Sequence, residues 1–72
     1  MSNAGELREL NDQALADKLS EAKQELWKRR LDLATGQLDN YSEIPKYKRE
    51  IARIQTLMRE REIAAAESAM EA

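Results

Sequence analysis

The chain has 72 residues and a net charge of −2 from twelve basic and fourteen acidic residues, with no Cys, no His, two Gly and one Pro. That length allows one small domain with little core of its own. The composition excludes disulfides and the usual zinc ligands. It favours an all-α chain, because Ala, Leu, Glu, Lys and Arg dominate and helix breakers are few. No apolar run approaches the roughly 20 residues of a membrane span, and the N-terminus lacks a basic-then-apolar signal pattern, so the expectation is a cytosolic protein with no membrane role.

In chain order, residues 1–5 show no periodicity and read as a mobile N-terminus, residues 6–66 as a helical hairpin domain, and residues 67–72 as a fraying acidic tail. Leu7 and Leu10 suit a short turn that folds back on the hairpin. Asn11 or Asp12 suits the N-cap of a first long helix. Leu15, Leu19, Ala22, Leu26 and Leu33 then form one narrow apolar stripe. Arg29 and Arg30 flank the gap in it, their stems suited to covering its edges while the heads stay in water. Gly36 is placed to end this helix in a left-handed conformation.

The turn spans Gly36 to about Tyr41. Two starts suit the second helix. Asn40 with Glu43 has capping-box spacing, but it puts Pro45 too deep. A Ser42 cap keeps Pro45 inside the first turn and is preferred. Ile44, Tyr47, Ile51, Ile54 and Met58 supply its apolar stripe. A short turn between long helices makes them antiparallel neighbours. The predicted fold is an all-α antiparallel two-helix hairpin with a short N-terminal segment.

Two surface features bear on function. Trp27, Leu31, Ala34 and Leu38 make a second ridge, roughly 120° to 150° from the main stripe of the first helix. Either Tyr41, Leu57 or the N-terminal leucines cover it, or it docks another macromolecule, with Trp27 as anchor. Lys46, Arg49 and Arg53 form a basic row on the second helix, opposite Ile51, and suit contacts to phosphates. Charge is segregated: residues 28–61 hold nine basic and five acidic residues, +4, leaving −6 elsewhere. A polyanion can therefore bind the turn-side half despite the acidic total. No nucleophile–base pair or Gly-rich phosphate loop is present, and a two-helix layer has no pocket, so no catalytic residue, metal site or cofactor is expected.

Several stretches taken together resemble the family of the small two-helix protein numbered twenty-nine of the large ribosomal subunit. They are Leu7-Arg8-Glu9-Leu10-Asn11-Asp12, Leu33 to Leu38, Ile51-Ala52-Arg53-Ile54 and Arg59-Glu60-Arg61. The resemblance runs from about Glu6 to Glu62. It implies a structural role: a hairpin lying against large-subunit rRNA at the rim of the nascent-chain exit tunnel. The neighbour there is the ribosomal protein numbered twenty-three, and chaperones or targeting factors visit.

Carried onto this chain, the resemblance makes Arg30, Arg49 and Arg53 the first rRNA-contact candidates, followed by Lys28, Lys48 and Arg59, with Lys46 completing the basic row. Trp27, Leu31 and Leu38 become a ridge for RNA or a neighbouring protein. The chain departs from the family pattern at Arg29, where an apolar residue is usual, and at Pro45, which replaces a helix former. Its acidic tail is longer and its overall charge lower. The competing expectation is a free helical adaptor that dimerises into a four-helix bundle through the Trp27 ridge, with no RNA role.

Overall fold

The structure is a computed structural model that describes residues 3–37 and 42–71. Leu38 and Tyr41, singled out in the sequence, lie outside the described residues. Among the described residues three helices follow in order: α1 (Ala4–Arg8), α2 (Asp12–Ala34) and α3 (Ile44–Glu71). The protein is all-helical, as the composition predicts.

Each helix start has a local cause. Asn3 Oδ1 accepts from the Glu6 backbone N–H at 2.9 Å and caps α1. This starts α1 at Ala4, inside the segment read from sequence as an unpatterned N-terminus. Asn11 Oδ1 accepts from the Ala14 N–H at 2.8 Å and caps α2, which leaves Asp12 in the first turn. These side chains satisfy donors that a helix start otherwise leaves unpaired. α3 starts at Ile44, one residue later than a Ser42 cap places it. The Glu43 carbonyl accepts from both Lys46 N–H (3.0 Å) and Tyr47 N–H (3.2 Å). Pro45 thus falls in the first turn, where its missing N–H has no helical partner to lose.

The end of α2 is a Schellman motif. Gln37 N–H donates to the Asp32 carbonyl at 2.8 Å and Gly36 N–H to the Leu33 carbonyl at 3.3 Å. Gly36 has φ +78°, the left-handed conformation that the motif needs at this position. α3 has no breaker after Pro45 and runs through the tail segment as far as Glu71.

α2 and α3 pack as an antiparallel pair. Arg29, late in α2, meets Glu43 and Tyr47 at the beginning of α3, while Asp12, at the start of α2, meets Arg61 far along α3. The core sits away from the turn. Leu7, Leu15 and Ile54 are fully buried and form one cluster with Leu57, bordered by Leu10, Leu19 and Met58. Each fully buried side chain contributes about 1.5–3 kcal/mol. α1 thus folds back on the hairpin and lays Leu7 over the core.

Towards the turn, Ala22, Leu26 and Ile44 carry the interface on. Two expectations shift here. Leu33 remains 37% exposed, so the α2 stripe ends uncovered. On α3, Glu50 is buried at 7% exposure beside Ile51, which is only half-buried. Radius of gyration is 15.4 Å and the extents are 55 × 19 × 16 Å. A compact globule of this length has a radius near ~11 Å. The molecule is a rod two helices thick, with α1 packed over the end away from the turn.

Candidate nucleic-acid interface

The candidate side chains occupy three stretches of helix surface. On α2, Lys28 and Arg30 are exposed beside Trp27 and Leu31, which are 68% and 46% exposed. On α3, Lys46, Arg49 and Arg53 are exposed in one row, while Lys48 and Arg59 are exposed elsewhere on the helix. The ridge is not covered by the N-terminal leucines or Leu57. Leu7 and Leu57 are in the core, and Leu10 packs against it.

Helix geometry divides these residues between two sides. At ~100° per residue, Arg30, Lys23 and Trp27 lie about 60° to 120° round one way from the buried Leu15-Ala22-Leu26 stripe. Glu21, Glu25, Asp32 and Lys28 lie about 80° to 140° round the other way. On α3, Lys48 and Arg59 lie to one side of Ile54, and Lys46, Arg49 and Arg53 to the other. With the helices antiparallel, Lys48 and Arg59 share the side of Trp27, Lys23 and Arg30. The Lys46-Arg49-Arg53 row shares its side with Lys28 and with the acids Glu21, Glu25 and Asp32. The seven candidate cations therefore do not form one patch. The Trp27 side carries the fewest acids near the turn, and the Arg49 side is mixed.

Two other arginines serve the fold. Arg29 fills the gap in the α2 stripe. Its Nε is 3.2 Å from Glu43 Oε2 and its Nη2 is 3.8 Å from Glu25 Oε2. Nη2 also donates to the Tyr47 hydroxyl at 3.4 Å, and the guanidinium carbon lies 5.7 Å from the Tyr47 ring centre. The Nε contact is an ion pair without a hydrogen bond, because that N–H is not aimed at the carboxylate. The Tyr47 hydroxyl is the main cause of a raised Arg29 pKa; partial burial opposes it, and Glu43 adds to it. Glu50 Oε2 is buried without a hydrogen-bond partner.

Arg61 closes the other end. Its Nη1 donates to Asp12 Oδ1 at 2.9 Å and its Nη2 to the Arg8 carbonyl at 3.1 Å. Arg59 pairs with Glu62 at 3.2 Å with both side chains largely exposed, a contact too solvated to fix it. Sequence periodicity did not reveal the Arg61 clasp, because its partners are 49 and 53 residues away.

Among the described residues, no group of three or more His, Cys, Asp or Glu could hold a metal ion, and no helix is long and apolar enough to cross a membrane. A groove lined by Asp12, Met58, Arg61, Glu62 and Ala65 separates the start of α2 from α3. Its charged groups pair with each other or with Arg59. Such a rod presents charged and aromatic groups on open faces. The fold and these exposed side chains define a class of small helical-hairpin proteins.

Comparison with known proteins gives that class a name: ribosomal proteins. Over 61 residues the chain is 57% identical to the large ribosomal subunit protein uL29 of Carboxydothermus hydrogenoformans, covering 85% of this chain and 88% of the relative. It is 53% identical over 62 residues to the uL29 protein of Streptomyces griseus, covering 86% and 84%. Against the uL29 protein of Mycobacterium bovis it is 52% identical over 62 residues, covering 86% and 80%. Residues 5–61 match the family described as ribosomal L29 protein. The chain belongs to that family and is a structural ribosomal protein, not an enzyme.

Proposed function

We propose that this protein is a structural component of the large ribosomal subunit in the cytoplasm, that it binds large-subunit rRNA, and that it helps frame the rim of the nascent-chain exit tunnel. Family membership supports the subunit. The observation that carries the RNA reading is the set of exposed cations along the two long helices: Lys28, Arg30, Lys46, Lys48, Arg49, Arg53 and Arg59. Phosphate and sugar contacts of this kind fix a protein on folded RNA without reading its sequence. The place at the rim, beside the protein numbered twenty-three and within reach of chaperones or targeting factors, follows from the resemblance and is proposed with it.

The test is sedimentation of a lysate containing a tagged copy, at moderate and then high salt. The expected result is co-migration with the large subunit that survives high salt. Arg49→Glu combined with Arg53→Glu should reduce that incorporation while leaving helix content nearly unchanged. A wild-type protein that stays at the top of the gradient at both salts would return the free helical adaptor as the better reading.

A further inference from the structure

We propose that Trp27 is a stacking platform for an unpaired nucleobase, on the side of the hairpin opposite the Lys46-Arg49-Arg53 row. The proposal rests on the rRNA-binding reading and gives one face of it a specific chemistry. Trp27 is the only tryptophan of the chain and is 68% exposed, within the regular helix α2. Leu31, one turn further on, is 46% exposed, and a contiguous apolar patch of this kind marks a contact surface.

Charge selects the occupant. Lys23, Trp27, Arg30 and Ala34 follow one another along α2 at spacings of four, three and four, so the ring stands one turn from a cation on each side. Lys23 and Arg30 are both exposed. Lys48 adds a third cation across the shallow divide. It is exposed and follows Tyr47, which meets Arg29 at this level. The acids of this stretch of α2, Asp17, Glu21, Glu25 and Asp32, all project round the other way, more than about 60° from Trp27. An aromatic face between cations that have no acidic partner among the described residues fits a base with its flanking phosphates. A basic protein segment is disfavoured by the same cations. A second copy would bring like charges together. Lys23 was not among the cations picked from sequence, because it lies outside the basic half. Only the geometry of α2 puts it in line with Trp27.

The sole tryptophan makes the test direct. The full-length chain is titrated with deproteinised large-subunit rRNA, and both the dissociation constant and the Trp27 emission are followed. Stacking quenches the emission and shields it from acrylamide. Trp27→Ala should weaken binding by about tenfold, and Trp27→Phe, which keeps a ring, by much less. Trp27 is exposed, so circular dichroism should show both variants folded.

Wild-type binding with unchanged Trp27 emission, together with full affinity of Trp27→Ala, would overturn the stacking proposal and leave rRNA binding standing. An emission change that comes only when the other large-subunit proteins are added would give the ridge to a protein neighbour and also overturn it. No binding of the wild-type chain to rRNA would remove both readings.

Discussion

Arg61 reaches two groups at once, Asp12 Oδ1 at 2.9 Å and the Arg8 carbonyl at 3.1 Å, and so ties α3 to the junction of α1 and α2. The clasp sits next to the Leu7-Leu15-Ile54-Leu57 cluster in chain order on all three helices. Asp12 is largely exposed, so solvent weakens the charge contribution. Arg61→Ala should cost about 1 kcal/mol, seen as a fall in Tm of roughly 4–8 °C. Arg61→Lys, which keeps the charge but cannot fork, should fall between the two. Thermal melts at low and high salt check this. A Tm unchanged by Arg61→Ala would remove the clasp from the stability of the fold.

Leu7 is the one fully buried residue of α1, and nothing else in that helix is buried. Leu7→Ala should therefore destabilise the protein by about 2–4 kcal/mol, through lost burial and a void at the core. Deleting α1 should cost slightly more, since it uncovers Leu15, Ile54 and Leu57 and also removes the Arg8 carbonyl from the Arg61 clasp. Melting curves of the two variants measured side by side would decide. A deletion far more damaging than Leu7→Ala would mean that α1 acts mainly through its backbone, at the Arg8 carbonyl.

Gly36 illustrates how much of the fold the sequence made legible. Its position after a long amphipathic pattern announced a left-handed helix end, and φ +78° is what the structure has. A Cβ built there meets nothing within 4 Å, so the cost of a side chain is in the backbone alone. Gly36→Ala should cost about 1–2 kcal/mol, and Gly36→Asn less, because Asn tolerates this conformation better. Equal losses for Ala and Asn in chemical denaturation would argue against the conformational explanation.

Elements with a periodic signal were readable in this way: both long helices, their antiparallel run and the turn-back of Leu7. What periodicity could not supply was pairing at long range. The Arg61 clasp, the burial of Glu50 in place of a fully buried Ile51, and the grouping of Arg29 with Glu43 and Tyr47 all depend on how one helix is rotated against the other. The interface residues were partly legible for the same reason. Residue type marked the cations, but only the antiparallel geometry divided them between two sides and brought Lys23 into line with Trp27.

Arg29 has a raised pKa in the folded chain, chiefly through the Tyr47 hydroxyl. For a cation raised on folding, the stabilisation is complete below the unfolded pKa and is lost only as pH climbs through the folded one. Both values lie well above neutrality for a guanidinium. The Tm difference between the wild type and Arg29→Met should therefore stay constant across the neutral range. A difference that varies there would assign the pH dependence to a partner of Arg29 and not to Arg29 itself.

Residues 62–70 of α3 are exposed throughout, and the family match ends at residue 61. Truncation after Glu62 keeps the Arg59–Glu62 pair and, among the described residues, removes no buried side chain. It should shift Tm by no more than a few degrees and leave incorporation into the large subunit intact. Gradient profiles of the shortened chain would expose any unseen partner of this overhang.

The best-packed cluster joins residues near the start of α2 to residues well along α3, as far from the connecting turn as the hairpin allows. Close to the turn the buried apolar contact narrows to Leu26 and Ile44, and the contacts among Arg29, Glu43 and Tyr47 are polar and half in water. A chain folding alone thus gains little from its shortest loop and must close a long one before burial rewards it. Its folding barrier should lie at that distant closure. Any surface that holds the two helices together near the turn would speed folding without touching the core.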